Sequence, residues 1–179
     1  MSELNLAERL AKYSTPTLAE ASSHVVVLPP VIAPLFRPIQ LSGPVYLVLA
    51  MPGDNLAVHL ALAKAPGGSV LVVATGPELQ KGFWGEIMTE AALARKIRGL
   101  VTDGAVRDTR PIRESAFPVF CAGVAISGTT KISPRGWMIT PGGLHGTRSQ
   151  KPTRNTQELD PTGVHSHRGA KPFPRKPKQ

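Results

Sequence analysis

The chain is organised around the stretch GFWGEIMTEAALARKIRGLVTDGAVRD, residues 82–108. This stretch predicts a glycine-rich loop, then a helix over residues 86–98 that the next glycine ends, then a short buried strand. The strand leads into a polar turn, after which Arg107 and Asp108 stand side by side as a cation and a carboxylate. Because a helix followed by a strand reverses the chain, the end of the strand returns towards the start of the helix. We therefore expect Glu86 and the Arg107–Asp108 pair to face one cleft.

Helices and hydrophobic strands alternate on both sides of this stretch. The hydrophobic runs predict strands over residues 24–28, 44–51, 69–75 and 118–122, with the second of these buried on both faces. Helical spacing predicts helices over residues 4–13, 17–22 and 56–65. Asp54 or Asn55 caps the last of these helices. The alternation favours an α/β fold built in layers.

Length and composition set the class of protein. A chain of 179 residues with 41% hydrophobic residues is long enough for one domain with a real core. A single cysteine excludes a disulfide within the chain and suits a reducing cytoplasm. There is no signal-peptide pattern and no apolar stretch near the ~20 residues that a membrane helix needs. We therefore predict a cytoplasmic protein without a membrane partner.

The net charge of +9 belongs mainly to the C-terminal part of the chain. Before residue 131 there are 11 Lys and Arg against 10 Asp and Glu, and from residue 131 onwards there are 10 against 2. Residues 132–179 are also rich in Pro, Gly, Ser and Thr and have no sustained hydrophobic period, which predicts a disordered basic tail. Nucleic acid is therefore not an expected partner, apart from weak non-specific binding by the tail.

Several motifs over about residues 14–131 resemble the RraA-like family. These motifs are GDN at 53–55, PGGSVLVV at 66–73, GE at 85–86 and GLVTDGAVRD at 99–108. The family includes the class II 4-hydroxy-4-methyl-2-oxoglutarate/4-carboxy-4-hydroxy-2-oxoadipate aldolases and the regulators of ribonuclease E activity. The resemblance implies a layered β/β/α sandwich of the swivelling-domain type, and a homotrimer with active sites between subunits.

The resemblance also implies roles for particular residues. In the aldolases, the aspartate that matches Asp108 binds Mg²⁺ or Mn²⁺, and the arginine that matches Arg107 contacts the pyruvyl group. An acidic residue at the position of Glu86 joins the site through water. In the ribonuclease regulator the matching aspartate is typically replaced. This chain keeps it, which favours the aldolase.

Elementary chemistry is consistent with these roles. Mg²⁺ prefers oxygen ligands and keeps several waters, so one direct carboxylate is a plausible minimal site. A 2-oxo acid would chelate the metal, which would stabilise the charge left by carbon–carbon cleavage and, in the same way, by oxaloacetate decarboxylation. The backbone N–H groups of Gly85, Glu86, Ile87 and Met88 would hold the substrate carboxylate. Arg107 would neutralise the developing oxyanion, and a water near Glu86 would take the hydroxyl proton. No lysine stands among the residues predicted to face the cleft, which argues against a Schiff base.

Other residues have simpler interpretations. An adjacent arginine and aspartate after a strand are often only a solvated ion pair. Asp103 either orients Arg107 or only forms the turn. Trp84 either lines the pocket or packs the loop against the core. We interpret His59 as a structural or surface histidine, and Cys121 as a buried filler without a nucleophilic role.

The C-terminal part is where the resemblance stops. We predict a catalytic domain over residues 1–131 that lacks the last strands of the family, and a tail over residues 132–179 that is either a native extension or the product of a frame change. The sequence therefore predicts a metal-dependent lyase that acts on a 2-oxo acid. Two alternatives remain: a non-catalytic regulator of ribonuclease E activity, and a degenerate family member without activity whose tail binds RNA loosely.

Overall fold

A computed structural model describes residues 3–76 and 78–132, together with the backbone of residues 137–140 and 143–146. The predicted basic tail lies outside the described residues from position 147 onwards. Within the described part, no helix is long and apolar enough to span a bilayer.

The secondary structure alternates as the hydrophobic pattern predicts. The helices are α1 (Glu3–Leu10), α2 (Thr15–Ala21), α3 (Leu56–Lys64), α4 (Glu86–Ala94) and α5 (Thr109–Glu114). The strands are β1 (Ala33–Pro34), β2 (Val45–Leu49), β3 (Val70–Ala74), β4 (Lys81–Trp84), β5 (Gly99–Thr102), β6 (Ala105–Val106), β7 (Val119–Cys121), β8 (Gly123–Val124), β9 (Ser127–Gly128), β10 (Trp137–Thr140) and β11 (Gly143–Gly146).

These strands form two sheets. The larger sheet has the order β1-β7-β5-β3-β2-β10-β11, and the smaller sheet has the order β8-β6-β4-β9. In the larger sheet β2, β3, β5 and β7 run parallel, whereas β1, β10 and β11 pair antiparallel at its edges. The smaller sheet is parallel throughout. The predicted α/β class is confirmed.

One hydrophobic core joins the two sheets with helices α3, α4 and α5. Buried side chains of the larger sheet, such as Val48 and Leu71, belong to the same cluster as Ala61 of α3 and Ala92 of α4. Trp84 and Val106 bring the smaller sheet into that cluster. The smaller sheet is therefore fixed against the rest of the domain, and the ends of β4 and β6 have a defined position.

The predicted helix over residues 86–98 ends earlier than expected. It stops at Ala94, and Lys96 adopts a left-handed conformation with φ of 59°. The N–H of Ile97 then bonds to the carbonyl of Ala92 at 2.9 Å, which is the pattern that closes many helices. Gly99 is instead the first residue of β5, where a Cβ would meet the side chain of Leu41 and a neighbouring carbonyl.

The strand predicted over residues 24–28 is wrong. This segment is irregular, and Val26 and Val27 are 85% and 73% exposed. A hydrophobic run becomes a strand only where a sheet edge accepts its hydrogen bonds, and β1 already pairs with the β7 edge. Residues 82–84 were expected in a loop, but they belong to β4.

The strand over residues 44–51 shortens to β2 and is not buried on both faces. Tyr46 and Val48 are buried, whereas Val45 and Leu49 are 53% and 39% exposed. The β2 edge pairs with β10, and β10 pairs with β11. The expectation that no strand follows residue 131 is therefore wrong for the segment up to residue 146, because β2 offered an unpaired edge that a short hairpin could use.

Candidate active site

The parallel pairing of β4 with β6 brings the two halves of the predicted site together. Gly82 lies opposite Ala105 and Trp84 opposite Val106, so the two strands end side by side. The N–H of Arg107 continues this pairing with a 2.8 Å bond to the carbonyl of Trp84. As a result, the start of α4, at residues 85–86, lies next to Arg107 and Asp108.

Asp108 links these two chain segments through one carboxylate oxygen. Its Oδ2 accepts a hydrogen bond from the N–H of Glu86 at 3.1 Å and lies 3.6 Å from Nε of Arg107. The backbone of Asp108 has a left-handed conformation, with φ of 53°. A non-glycine residue keeps this conformation only where its surroundings require it. The side chain is 40% exposed, so a ligand can reach it.

Gly85 leaves the space that this contact needs. A Cβ at this position would collide with Oδ2 of Asp108 and would lie 3.1 Å from Nε of Arg107. The backbone of Gly85 is extended, so a side chain is excluded by crowding and not by the backbone conformation. The glycine is required here because the carboxylate packs directly against the main chain.

A cavity of about 220 Å³ opens beside this cluster. Its walls are Asn55 at the N-cap of α3, His59 of α3, residues 82–85 and 87–88, Arg107, residues 128–129 and Lys131. Of the residues predicted for the substrate site, Gly85, Ile87, Met88 and Arg107 line the cavity. Glu86 is exposed and does not belong to the wall, and neither does Asp108, which lies beside Arg107.

Asn55 is a wall residue that the sequence assigned mainly to helix capping. Its side chain makes no capping bond; Oδ1 of Asp54 accepts the N–H of Leu56 at 2.9 Å instead. Asn55 is only 5% exposed and donates from Nδ2 to the carbonyl of Phe83 at 3.0 Å. That bond fixes the amide orientation, and Oδ1 is left without a hydrogen-bond partner among the described residues. A buried acceptor of this kind suits a ligand hydroxyl or a bound water.

His59 and Lys131 are two further wall residues that sequence reasoning missed. His59 follows Asn55 by four residues on α3, so both side chains reach the same helix face. Burial lowers the pKa of His59 below 6.5, and the positive charge of Lys131 lowers it further. The spacing of Asn55 and His59 was visible in the sequence. The position of Lys131 was not, because it depends on a long-range contact with the start of α3.

Trp84 fits both interpretations offered for it. It lines the cavity, but it is only 1% exposed and its ring stacks on Phe117 with centroids 5.9 Å apart. Its Nε1 donates to Oγ1 of Thr89 at 2.8 Å, which anchors β4 to the first turn of α4.

Asp103 does not orient Arg107 in this structure. Its Oδ1 accepts both the N–H and the hydroxyl of Thr75, at 2.6 and 3.0 Å. The carboxylate therefore ties the turn after β5 to the end of β3.

Cys121 is buried, and burial raises the pKa of its thiol above 9.0, as expected for a filler side chain.

Comparison with protein families gives the placement of this chain. Residues 15–146 match the RraA-like family, described as Aldolase/RraA. The chain belongs to the RraA-like family. The match continues through β10 and β11, which agrees with their pairing at the β2 edge.

Among RraA-like relatives, the chain is 31% identical over 151 residues to a protein of Halalkalibacterium halodurans named "Putative 4-hydroxy-4-methyl-2-oxoglutarate aldolase". That alignment covers 79% of this chain and 72% of the relative. The chain is also 35% identical over 107 residues to Protein DlpA of Legionella pneumophila, which covers 56% of this chain but only 17% of DlpA.

Solved structures confirm the RraA-like fold. The "RNA-processing inhibitor RraA from Thermus thermophilis" superposes with a TM-score of 0.65 at 23% identity, over 75% of this chain and 84% of that one. RraAS2 of Streptomyces coelicolor superposes with a TM-score of 0.59 at 20% identity, over 78% and 83% of the two chains. At this identity the likeness establishes the fold alone.

Proposed function

We propose that this RraA-like chain is a divalent-metal-dependent lyase that cleaves 4-hydroxy-4-methyl-2-oxoglutarate-type 2-oxo acids to release pyruvate, and that it also decarboxylates oxaloacetate. The observation that carries the proposal is the contact of Asp108 with Arg107 and with the N–H of Glu86, beside a cavity. The 31% identical relative bears an aldolase name, which supports the same activity.

The carboxylates of Asp108 and Glu86 suit a hard cation that binds few protein ligands. Among the described residues there is no group of three or more His, Cys, Asp or Glu side chains that could hold a metal. Mg²⁺ nevertheless binds through one or two carboxylates and retains its waters. The described contacts of Asp108 both use Oδ2, which leaves Oδ1 for a cation. Asp108 would hold Mg²⁺ or Mn²⁺ directly, with Glu86 reaching it through water.

The bound metal would supply Lewis-acid polarisation of the keto group. Arg107 lines the cavity and carries a charge that does not titrate, so it would stabilise the oxygen on which negative charge develops. The N–H groups of Gly85, Ile87 and Met88 at the start of α4 would bind the substrate carboxylate, because the N–H of Glu86 already donates to Asp108. Oδ1 of Asn55 would accept the hydrogen bond of the substrate hydroxyl, and a water beside Glu86 would take its proton.

We further propose a cytoplasmic homotrimer with the cavity at the contact between subunits. Two apolar side chains are strongly exposed in a single chain: Ile87 on the cavity wall is 79% exposed, and Ile126, which precedes β9, is 94% exposed. Such residues commonly mark an interface. Light scattering coupled to size exclusion would give the mass of the assembly directly. The partner molecule is the 2-oxo acid, and nucleic acid is proposed to bind only weakly through the tail.

The test is pyruvate release, followed with a lactate dehydrogenase couple, from 4-hydroxy-4-methyl-2-oxoglutarate and from oxaloacetate. Each substrate is assayed with Mg²⁺, with Mn²⁺ and with chelator, and metal without protein corrects for spontaneous decarboxylation. We expect turnover only when protein and metal are both present. A folded sample without metal-dependent turnover would contradict the proposal and favour the non-catalytic regulator or the inactive family member.

A further inference from the structure

The segment over residues 128–132 lies across the start of α3. The N–H of Thr130 bonds to the carbonyl of Gly53 at 2.9 Å, and the N–H of Asn55 bonds to the carbonyl of Thr130 at 3.0 Å. These two bonds form a parallel bridge at Asp54, between parts of the chain more than seventy residues apart. They hold the segment at the edge of the cavity.

The carboxylate of Asp54 adds three further bonds at the same place. Oδ1 accepts the N–H of Leu56 at 2.9 Å, and Oδ2 accepts the hydroxyl of Thr130 at 2.8 Å and the N–H of Ile132 at 2.7 Å. Asp54 is only 5% exposed, so its charge depends on these donors in place of water. One buried carboxylate therefore fastens the segment on both sides of residue 131.

Lys131 is the residue between the two that Asp54 holds. It lines the cavity together with Arg107, and its charge acts on His59 on the opposite element of the wall. The lysine stem is flexible, so the position of the ammonium depends on where its backbone is held. The cavity thus has two cationic side chains in its wall, which a substrate with two carboxylates would match.

We propose that Asp54 is a positioning residue that fixes Lys131 as the second cation of the cavity and thereby favours substrates with a second carboxylate. The part that concerns substrates depends on the proposed function. The part that concerns the position of Lys131 does not depend on it.

The first test measures the position of Lys131 without using activity. The pKa of His59 is determined by NMR titration, with its signal assigned by His59→Gln, in the full chain and in Asp54→Asn, Lys131→Met and the double variant. Removal of the lysine charge raises the pKa of His59. We expect Asp54→Asn to raise the pKa of His59 as well. The pKa of His59 in the double variant should equal its pKa in Lys131→Met.

Lys64→Met is the matched control, because it removes an exposed lysine from the same helix as His59. It should leave the pKa of His59 unchanged. Thr130→Val replaces Asp54→Asn if the latter does not fold, since it removes only the hydroxyl bonds of the segment. An unchanged pKa of His59 in both Asp54→Asn and Thr130→Val, or in Lys131→Met, would overturn the inference.

The second test separates substrate binding from turnover. For 4-hydroxy-4-methyl-2-oxoglutarate we expect Asp54→Asn to raise KM about tenfold, the worth of one charge-assisted hydrogen bond, with little change in kcat. For 4-hydroxy-2-oxopentanoate, which lacks the second carboxylate, KM should not change. An equal rise in KM for both substrates would contradict the inference that Lys131 binds the second carboxylate. If the natural chain releases no pyruvate, the proposed function fails while the histidine titration still decides the position of Lys131.

Discussion

The N–H of Glu86 donates to Oδ2 of Asp108 over 3.1 Å, although the two residues are 22 positions apart in the chain. This bond joins the first turn of α4 to the residue that precedes α5, and the parallel β4–β6 pairing makes it possible. A carboxylate held in this way by the main chain cannot rotate freely. The site is therefore preorganised before any ligand enters. Substitutions that move Asp108 by a fraction of an ångström should lower the turnover rate.

Gly85→Ala should inactivate the protein without unfolding it. A Cβ at this position collides with Oδ2 of Asp108 and crowds Arg107. A displacement of about 1 Å in a catalytic group costs on the order of 100-fold in rate, and we expect a loss of that size in kcat/KM. Gly123→Ala is the matched control, because its new Cβ would make only ordinary contacts at 3.8 and 3.9 Å. Equal activity of the two variants would contradict the geometry.

Arg107→Lys should not behave as a conservative change. The guanidinium lies 3.6 Å from Asp108 through Nε and forms part of the cavity wall. A lysine keeps the charge but loses the planar donor arrangement, so we expect about a 100-fold loss of kcat/KM, the typical effect of removing one oxyanion donor. Arg110→Lys, at a side chain 88% exposed, should retain full activity. Wild-type kinetics for Arg107→Lys would show that the arginine has no role in the reaction.

Thr89→Val should destabilise the fold. The hydroxyl accepts the Nε1–H of Trp84 at 2.8 Å and donates to the carbonyl of Gly85 at 3.0 Å, and Thr89 is only 1% exposed. Valine leaves the buried indole N–H of Trp84 without its acceptor, at a cost of about 1–3 kcal/mol, whereas the carbonyl of Gly85 still accepts the N–H of Thr89. Urea unfolding followed by circular dichroism measures this cost. Thr89→Ser keeps the hydroxyl and should lower the free energy of unfolding by less. Equal stability of the two variants would show that the hydroxyl hydrogen bonds do not stabilise the fold.

Cys121 should be protected from alkylation in the native state. Burial raises the pKa of the thiol above 9.0, so the reactive thiolate is scarce and also inaccessible. Because the folded-state pKa is the higher one, the thiol contributes stability below pH 9.0 that is lost as the pH rises towards the folded value. Labelling with iodoacetamide, with and without urea, checks the protection; rapid labelling of the native protein at neutral pH would refute it.

Much of the fold follows from local sequence signals. The hydrophobic runs that became β2, β3, β5 and β7 were all found, because each is a short apolar stretch bounded by glycine or proline. The errors arose where tertiary contacts decide the outcome. Residues 24–28 have the composition of a strand but do not pair with a sheet, since β1 occupies the β7 edge, and β10 uses an edge that the sequence does not reveal.

The candidate site, like the fold, could be predicted only in part from the sequence. Glu86, Arg107 and Asp108 belong to one continuous stretch, and the chain reversal within it predicts that they lie close together. The backbone of Glu86 does contact Asp108, but of the three residues only Arg107 lines the cavity. Lys131 reaches the cavity only because the segment over residues 128–132 pairs with the start of α3. No single-sequence pattern encodes such a register, which is why the second cation of the cavity appears only in the structure.

Asp108 is proposed to hold the catalytic metal, and its substitution tests this role directly. Pyruvate release from 4-hydroxy-4-methyl-2-oxoglutarate should be compared between the natural chain and Asp108→Asn over a range of Mg²⁺ concentrations. Asparagine tolerates the left-handed backbone of this position, so the fold should persist, which circular dichroism can verify. We predict that the natural chain turns over only with Mg²⁺ and that Asp108→Asn is inactive at every concentration. Magnesium-dependent turnover that survives in Asp108→Asn would contradict the assignment.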